Sequence, residues 1–464
     1  MPEIKNVFRS GIMNKDDDER IIPNGQYRDA MNIEVATSED SDVGTVQNIL
    51  GNFRVDNLPT LSTGDFKSIG AIADEKNDVL YWFVTGLDSG GASVDAIIEY
   101  NNDGQVTPIL VDRNSNVLKF DKNNIITGIN IIDNLLFWTD DVNEPKKINI
   151  DTLKLNSHVD LSAHSNMYIN ETSVGQITED HITVIRKKPS IAPSFKVNSS
   201  ENTDKKPIFE KIFPRFSFRY KYRDGEYSAF APFTDVIFNP EYAGSNNELN
   251  SYTTDEPYNK AMVNSISSIE LYNFVPSDIP ADVVQVDLLY KQENSPIVYS
   301  VANIKYTDEE WQSDGYAGGI SGVQTAHKGY YKISTENIRA ALPSNQMLRP
   351  YDNAPKSALA QEIVGNRIVY GNYKQGYDLQ GTPRVNCDLE LRDDQDFTGG
   401  GQRSIKSLRD YQIGVVFGDE YGRETPVFTS SSANTQVSWL DDLGLSASSS
   451  LMLSANVDLD TPDW

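Results

Sequence analysis

One cysteine, four histidines and too few basic residues to balance the acids are what this 464-residue chain is short of. With Cys387 alone, no intrachain disulfide can form, so stability must come from packing or from assembly with other chains. The 41 Lys plus Arg against 67 Asp plus Glu give a formal charge of −26. That balance excludes a protein that grips nucleic acid by neutralising phosphates, which takes clustered cations, although it leaves room for one that surrounds DNA without holding it. No segment approaches the roughly 18 apolar residues of a membrane helix, and residues 1–10 lack the apolar stretch of a signal peptide. The chain therefore reads as soluble and not exported by the general secretory route. Helical patterns are scarce as well. The best runs from Glu336 to Leu342, opened by Ser334 or Thr335 as N-cap and stopped by Pro343.

What is abundant is β-forming sequence: 23 Tyr and 18 Phe, with turn pairs such as Asp103-Gly104 and Asp224-Gly225 between alternating segments. Length alone suggests about three domains. Short strands at Ser68–Ile72, Val79–Phe83, Ala96–Tyr100 and Val106–Val111 form one group. A second follows at Ile126–Ile131, Leu135–Thr139 and Lys147–Ile150, again with an aromatic-rich inner strand. The layout returns at Ala358–Val364 and Arg367–Tyr373. Recurring groups of this kind are the signature of propeller blades. Trp82, Trp138 and Tyr370 are expected in the blade cores, in preference to stacking on sugar rings. Residues 1–65, with the acidic cluster Asp16–Glu19, a turn at Pro23-Asn24-Gly25 and a strand at Ala30–Val35, are expected to contribute the first strand material of the propeller.

A basic, proline-bearing stretch from Arg186 to Pro193 marks a boundary, either as a linker, the favoured reading, or as a contact with an acidic neighbour. Beyond it, Phe216–Tyr222 alternates strictly, turns at Arg223-Asp224-Gly225 and returns as Tyr227–Phe233; Val283–Lys291 and Pro296–Lys305 alternate too. These strands fit a small β-sandwich of the immunoglobulin or fibronectin kind. A second copy of the hairpin, Tyr411–Asp419 with Arg423–Thr429, appears about 195 residues later. The expected architecture is all-β: propeller blades at 66–185, an inserted β-sandwich at 190–340, a returning blade at 345–395 and a partial second sandwich at 403–464. Phe218, Tyr220 and Phe417 are expected inside the sandwiches, and Gly318-Gly319 and Gly399–Gly401 in flanking loops.

Chemistry-bearing constellations are not evident. His158, His164, His181 and His327 show no metal-ligand spacing and read as surface or loop residues. Asp112, Asn114 and Asn116 resemble the start of a calcium loop, but Val117 stands where glycine is needed and Asn123 where a bidentate glutamate belongs, so an Asx-rich turn fits better. Gly399–Ser404 lacks the lysine of a phosphate-binding loop, and there is no Gly-x-Ser-x-Gly elbow. Among 67 acids a carboxylate pair suited to glycoside hydrolysis remains conceivable. No catalytic residue, metal or cofactor is nominated.

Two blocks carry a family resemblance. Pro23-Asn24-Gly25-Gln26-Tyr27-Arg28-Asp29-Ala30-Met31-Asn32-Ile33 with Ser41–Asn52, and Ser407–Asp419 with Tyr421–Pro426, resemble the tail nozzle or muzzle proteins of crAss-like phages. The resemblance implies a virion tail protein, assembled in the host cytoplasm, that forms a sixfold ring around the conduit for the genome. It implies as partners other copies of the chain, the portal adaptor or other tail rings, tail fibres, and genomic DNA that passes without sequence-specific binding. Members of the family it resembles are often longer than 464 residues. The readings from other classes are a glycan- or receptor-binding module and, behind it, a carbohydrate-active enzyme.

Overall fold

The computed structural model describes residues 10, 12–35, 46–49, 51, 66–88, 90–155, 161, 163–169, 172–199, 207–239, 242–243, 248–249, 263–314, 327–336, 340–347, 354–365, 367–375, 383–391, 405–438 and 451–458. The structure is nearly all-β. Met1–Leu58 forms one compact unit and Pro59–Trp464 another. In the first, Ile12–Met13 pairs in parallel with Gln26–Tyr27, and the expected strand is present as Ile33–Val35, paired with Val46–Asn48. The segment thus supplies its own strand partner. The acidic cluster starts as an Asx turn, with Asn14 Oδ1 accepting the N–H groups of Asp16 and Asp17.

The second unit begins with an antiparallel meander of four strands, Phe66–Asp74, Val79–Leu87, Ser93–Asn101 and Val106–Arg113. Along Ser93–Asn101 and Val106–Arg113 both faces are buried, which explains the unbroken apolar run Ala96-Ile97-Ile98. Phe83, Ile97 and Leu110 lie side by side on one face, while Trp82 and Ile98 pair on the other. A second sheet, Gly128–Ile132, Leu135–Thr139 and Lys146–Asn149, packs against the first face through Ile129, Leu136 and Trp138. Its free edge is extended by Ile182–Val184: Lys147 N–H donates to Ile182 O at 2.6 Å and Val184 N–H to Pro145 O at 2.9 Å.

The returning hairpin, Ser357–Val364 with Arg367–Lys374, stacks on the far face of the second sheet. Ala358 O accepts bonds from Thr139 Oγ1 at 2.6 Å and from Asp141 N–H at 2.9 Å. Glycines make both layer gaps possible. A Cβ on Gly70 would meet Ile126 O at 2.9 Å, and one on Gly128 would meet the Gln361 backbone nitrogen at 2.9 Å. The stack is therefore serial, sheet on sheet on hairpin, and the described residues close no barrel.

Between the second sheet and the hairpin in sequence lie two three-stranded antiparallel sheets. Ser194–Ser199, Ile266–Val275 and Lys328–Ile333 form one; Pro214–Tyr222, Val283–Gln292 and Val298–Lys305 form the other. They enclose a single core in which Phe216, Phe218, Tyr220 and Leu288 face Ile269, Leu271 and Phe274. The expected helix Glu336–Leu342 is not formed at its described residues. Ser300 N–H donates to Ala340 O and Leu342 N–H to Val298 O, so the segment completes a sheet edge, and tertiary pairing overrides the local capping signals. A single helical turn, Ser344–Met347, follows Pro343 instead.

The C-terminal hairpin repeats the first one at a constant offset. Tyr222 N–H to Glu226 O, Ser228 N–H to Tyr220 O and Ala231 N–H to Phe218 O recur as Asp419 to Arg423, Thr425 to Phe417 and Phe428 to Val415. Even the side-chain bond recurs, Tyr220 N–H to Ser228 Oγ and Phe417 N–H to Thr425 Oγ1. Arg384–Leu391, expected within the returning blade, instead zips along Leu451–Asp458 over eight registered pairs and so belongs with this C-terminal part. Gly318-Gly319 and Gly399–Gly401 lie outside the described residues.

The aromatic expectations divide. Trp138, Phe218 and Tyr220 are fully buried. Trp82 is half-buried, stacked on Tyr100 at 5.9 Å. Tyr370 and Phe417 are half-buried, the latter 6.3 Å from Phe428.

Candidate functional site

At the described positions that sequence considered for chemistry, the side chains bond within the chain. His164 is mostly buried, not a surface residue: Nδ1 accepts the Arg113 N–H at 3.2 Å and Nε2 lies 3.0 Å from Ile177 O. His181 accepts the Thr178 N–H at Nδ1, and burial, aided by the Arg186 charge, lowers its pKa to about 4. His327 accepts the Ser277 N–H, and His158 lies outside the described residues. Among the described residues no group of ligating side chains could hold a metal.

The Asp112 loop is the Asx turn its spacing indicates. The Asp112 carboxylate is fully buried and takes the N–H groups of Asn116, Val117 and Leu118. Directly opposite in register stands Asp95, equally buried, which accepts from Thr85 Oγ1, Ser115 Oγ and Phe120 N–H. Burial pushes the Asp95 pKa up. Two carboxylates side by side are the pair a hydrolase would need, but these are sealed from solvent with their oxygens engaged. They brace a loop and leave no place for a sugar.

The concentration of charge that sequence reasoning missed lies where the second sheet meets the tips of both repeated hairpins. Arg186, from the basic stretch, is its centre. Its guanidinium reaches Asp224 at 2.8 Å, Glu226 at 3.1 Å and Asp282 at 3.3 Å, and donates to the carbonyls of Asp180 and His181. Lys147, on the second sheet, shares Glu226 at 2.6 Å and Asp224 at 3.6 Å. Lys187 lies within 4.0 Å of Asp180, Asp278 and Glu420. The contact reading of the basic stretch is therefore correct, and the acidic neighbours belong to the chain itself.

The second hairpin docks with the signs exchanged. Arg423 stands where the first has Glu226; it binds Asp419 at 2.6 Å and reaches Glu144, in the turn of the second sheet, at 2.9 Å. The segment between is held by both tips: Tyr222 Oη donates to Lys187 O at 2.5 Å, and Lys188 N–H donates to Glu420 O. Mutual attraction of buried ions barely exceeds their desolvation, so such a network contributes orientation more than stability. It fixes how both hairpins are set on the stacked sheets.

Desolvation leaves a mark on the acids. Burial raises the pKa of Asp180 and Glu420, and takes Asp282, opposed by Arg186, to about 6. Asp282 Oδ1 has no protein donor and borders a pocket of about 50 Å³ between Lys147, His181 and Arg186, room enough for water. A carboxyl whose folded pKa exceeds its unfolded value stabilises the fold below the unfolded value near 4 and loses that contribution as pH rises through about 6. Asp282→Asn should therefore flatten the fall in stability between pH 4 and pH 7, an effect of up to roughly 3 kcal/mol. Urea unfolding midpoints of both chains across that range check it, and parallel profiles would refute it.

A family model described as Crassvirus muzzle protein matches residues 4–338 of the 464. The match includes the first of the two blocks that carry the resemblance, the stacked four- and three-stranded sheets and the two-sheet insert; the returning hairpin and the repeated C-terminal hairpin lie beyond it. No curated protein matches the chain. With residues 4–338 of its 464 matched, the chain belongs to the crassvirus muzzle protein family, structural proteins of the virion.

Proposed function

We propose that the chain is a wall segment of the tail nozzle, assembling as a ring, with six copies the expected order, around the channel through which the genome leaves. It performs no catalysis. Above it sits a portal adaptor or another tail ring, and tail fibres are candidate outer partners. The stacked sheets are read as blades of an open or composite propeller, and the insert and C-terminal hairpin as fibronectin- or immunoglobulin-like modules set on it. Family membership carries the reading, and the ionic seating of both hairpins on one sheet supports it, since a wall must hold its modules at fixed angles.

The acid excess suits a conduit. A wall with carboxylates facing the lumen repels phosphate over about 8 Å at physiological salt, so DNA slides without sticking. Duplex DNA should accordingly show no gel shift with the purified chain up to roughly 100 µM at physiological salt, weaker than ordinary non-specific binding. A shift at low micromolar concentration would contradict the sliding wall.

A further inference from the structure

The C-terminal part repeats the insert beyond its hairpin, with one strand position that no described residue fills. In the insert, Ser194–Ser199 precedes the hairpin and pairs antiparallel with Ile266–Val275, which follows it. Arg384–Leu391 and Leu451–Asp458 stand in the same order about the second hairpin and pair in the same way. The difference lies on the far edge of each hairpin's first strand. In the insert that edge belongs to Val283–Gln292, paired along the whole of Pro214–Tyr222, and Phe216, Phe218 and Tyr220 are buried beside Tyr290, Leu288 and Val286. In the second hairpin Val415 and Phe417 bond toward the return side, to Phe428 and Thr425. The backbone groups of Gly414, Val416 and Gly418 alternate to the far edge, where they have no partner among the described residues. Ile413, Val415 and Phe417 are accordingly only half-buried.

We infer that this edge, from Gln412 to Gly418, is a docking site for an extended segment of another protein subunit, added as one antiparallel β-strand. The insert shows what chemistry the segment needs. Its inward row is large and apolar, as Val286, Leu288 and Tyr290 are, because that row lies beside Phe417, Val415 and Ile413. Its outward row is uncharged at the centre: Val416 stands where the insert has Arg219, which Asp287 holds at 3.0 Å, so an acid there would go unpaired. The edge is also undefended. Between Gln412 and Gly418 it carries neither charge nor proline, the devices that keep strand edges from pairing. Val283–Gln292 of the same chain cannot fill it, having both of its own edges occupied. The edge is present in the single chain, whether or not rings form.

A labelled peptide with the sequence of residues 283–292 carrying Asp287→Val tests this, by fluorescence anisotropy against the 464-residue chain. Binding should saturate, and a peptide that also carries Leu288→Asp, with charge in the inward row, should bind at least about tenfold more weakly. In the chain, Val416→Pro removes one outward N–H and should weaken binding about tenfold while keeping the unfolding midpoint, since proline is tolerated on a strand edge. Val416→Arg gives a readout that does not depend on that variant: it should reverse the preference, toward the peptide that retains Asp287. Amide exchange at Gly414, Val416 and Gly418 should be fast in the free chain and slowed by the peptide. No saturable binding, or binding indifferent to these changes, overturns the inference and leaves the ring reading untouched.

Discussion

Arg186→Ala is expected to destabilise the chain by about 3–5 kcal/mol, the cost of leaving buried charge without its partner. Three carboxylates, Asp224, Glu226 and Asp282, would face one another, with Lys147 in reach of the first two. Two backbone carbonyls would lose their donor as well. The loss should act on seating first and on the insert's core at its margin, where the Arg186 guanidinium lies 4.9 Å from the centroid of the buried Tyr222 ring. Trypsin should then cut after Lys187 under conditions that leave the wild type whole; Lys188 precedes Pro189 and is no trypsin site. Arg186→Lys should recover only part of the stability, since an ammonium cannot span the same fork of acceptors. Denaturant midpoints within about 0.5 kcal/mol of wild type for the alanine variant would show that the ion pairs are incidental.

Trp138→Ala should cost a similar amount, about 3–5 kcal/mol, by removing the largest side chain between the first two sheets. Trp138 is 1 % exposed and meets Phe83 edge-on at 5.5 Å. Its indole nitrogen has no acceptor, so the loss is one of packing and not of a hydrogen bond. Trp82→Ala makes the internal comparison. That side chain is half-buried and stacked on Tyr100, and its removal should cost about half as much. Thermal or urea unfolding of the two variants separates a tryptophan in a shared core from one on a flank, and equal losses would contradict serial stacking.

The legible parts of the fold were those whose signal is local. Leu135–Thr139 reads as an inner strand because a layer covered on both faces needs apolar residues at consecutive positions. The repeated hairpin was visible because its turn and side-chain bonds use residues close in sequence. What escaped was set by distant partners. Ile182–Val184 is too short to announce itself, and becomes a strand only because the edge of Lys146–Asn149 is waiting for it. Ala340–Leu342 satisfied the rules for a helix and lost to the open edge at Val298–Ser300. Arg384–Leu391 followed the returning hairpin in sequence but found its partner at the C-terminal end. The ionic junction was hidden for the same reason. Arg186 meets Asp282 through a fold, and no spacing rule connects a basic linker to the residue before a distant strand. The histidines misled because four scattered imidazoles look like surface, although His164 and His181 accept backbone N–H groups in partly buried places.

Imaging the purified 464-residue chain by electron microscopy tests the account most directly. It predicts closed rings with an open axial channel, built from a whole number of 51.8 kDa subunits. A homogeneous population of single 51.8 kDa particles at every concentration would contradict it.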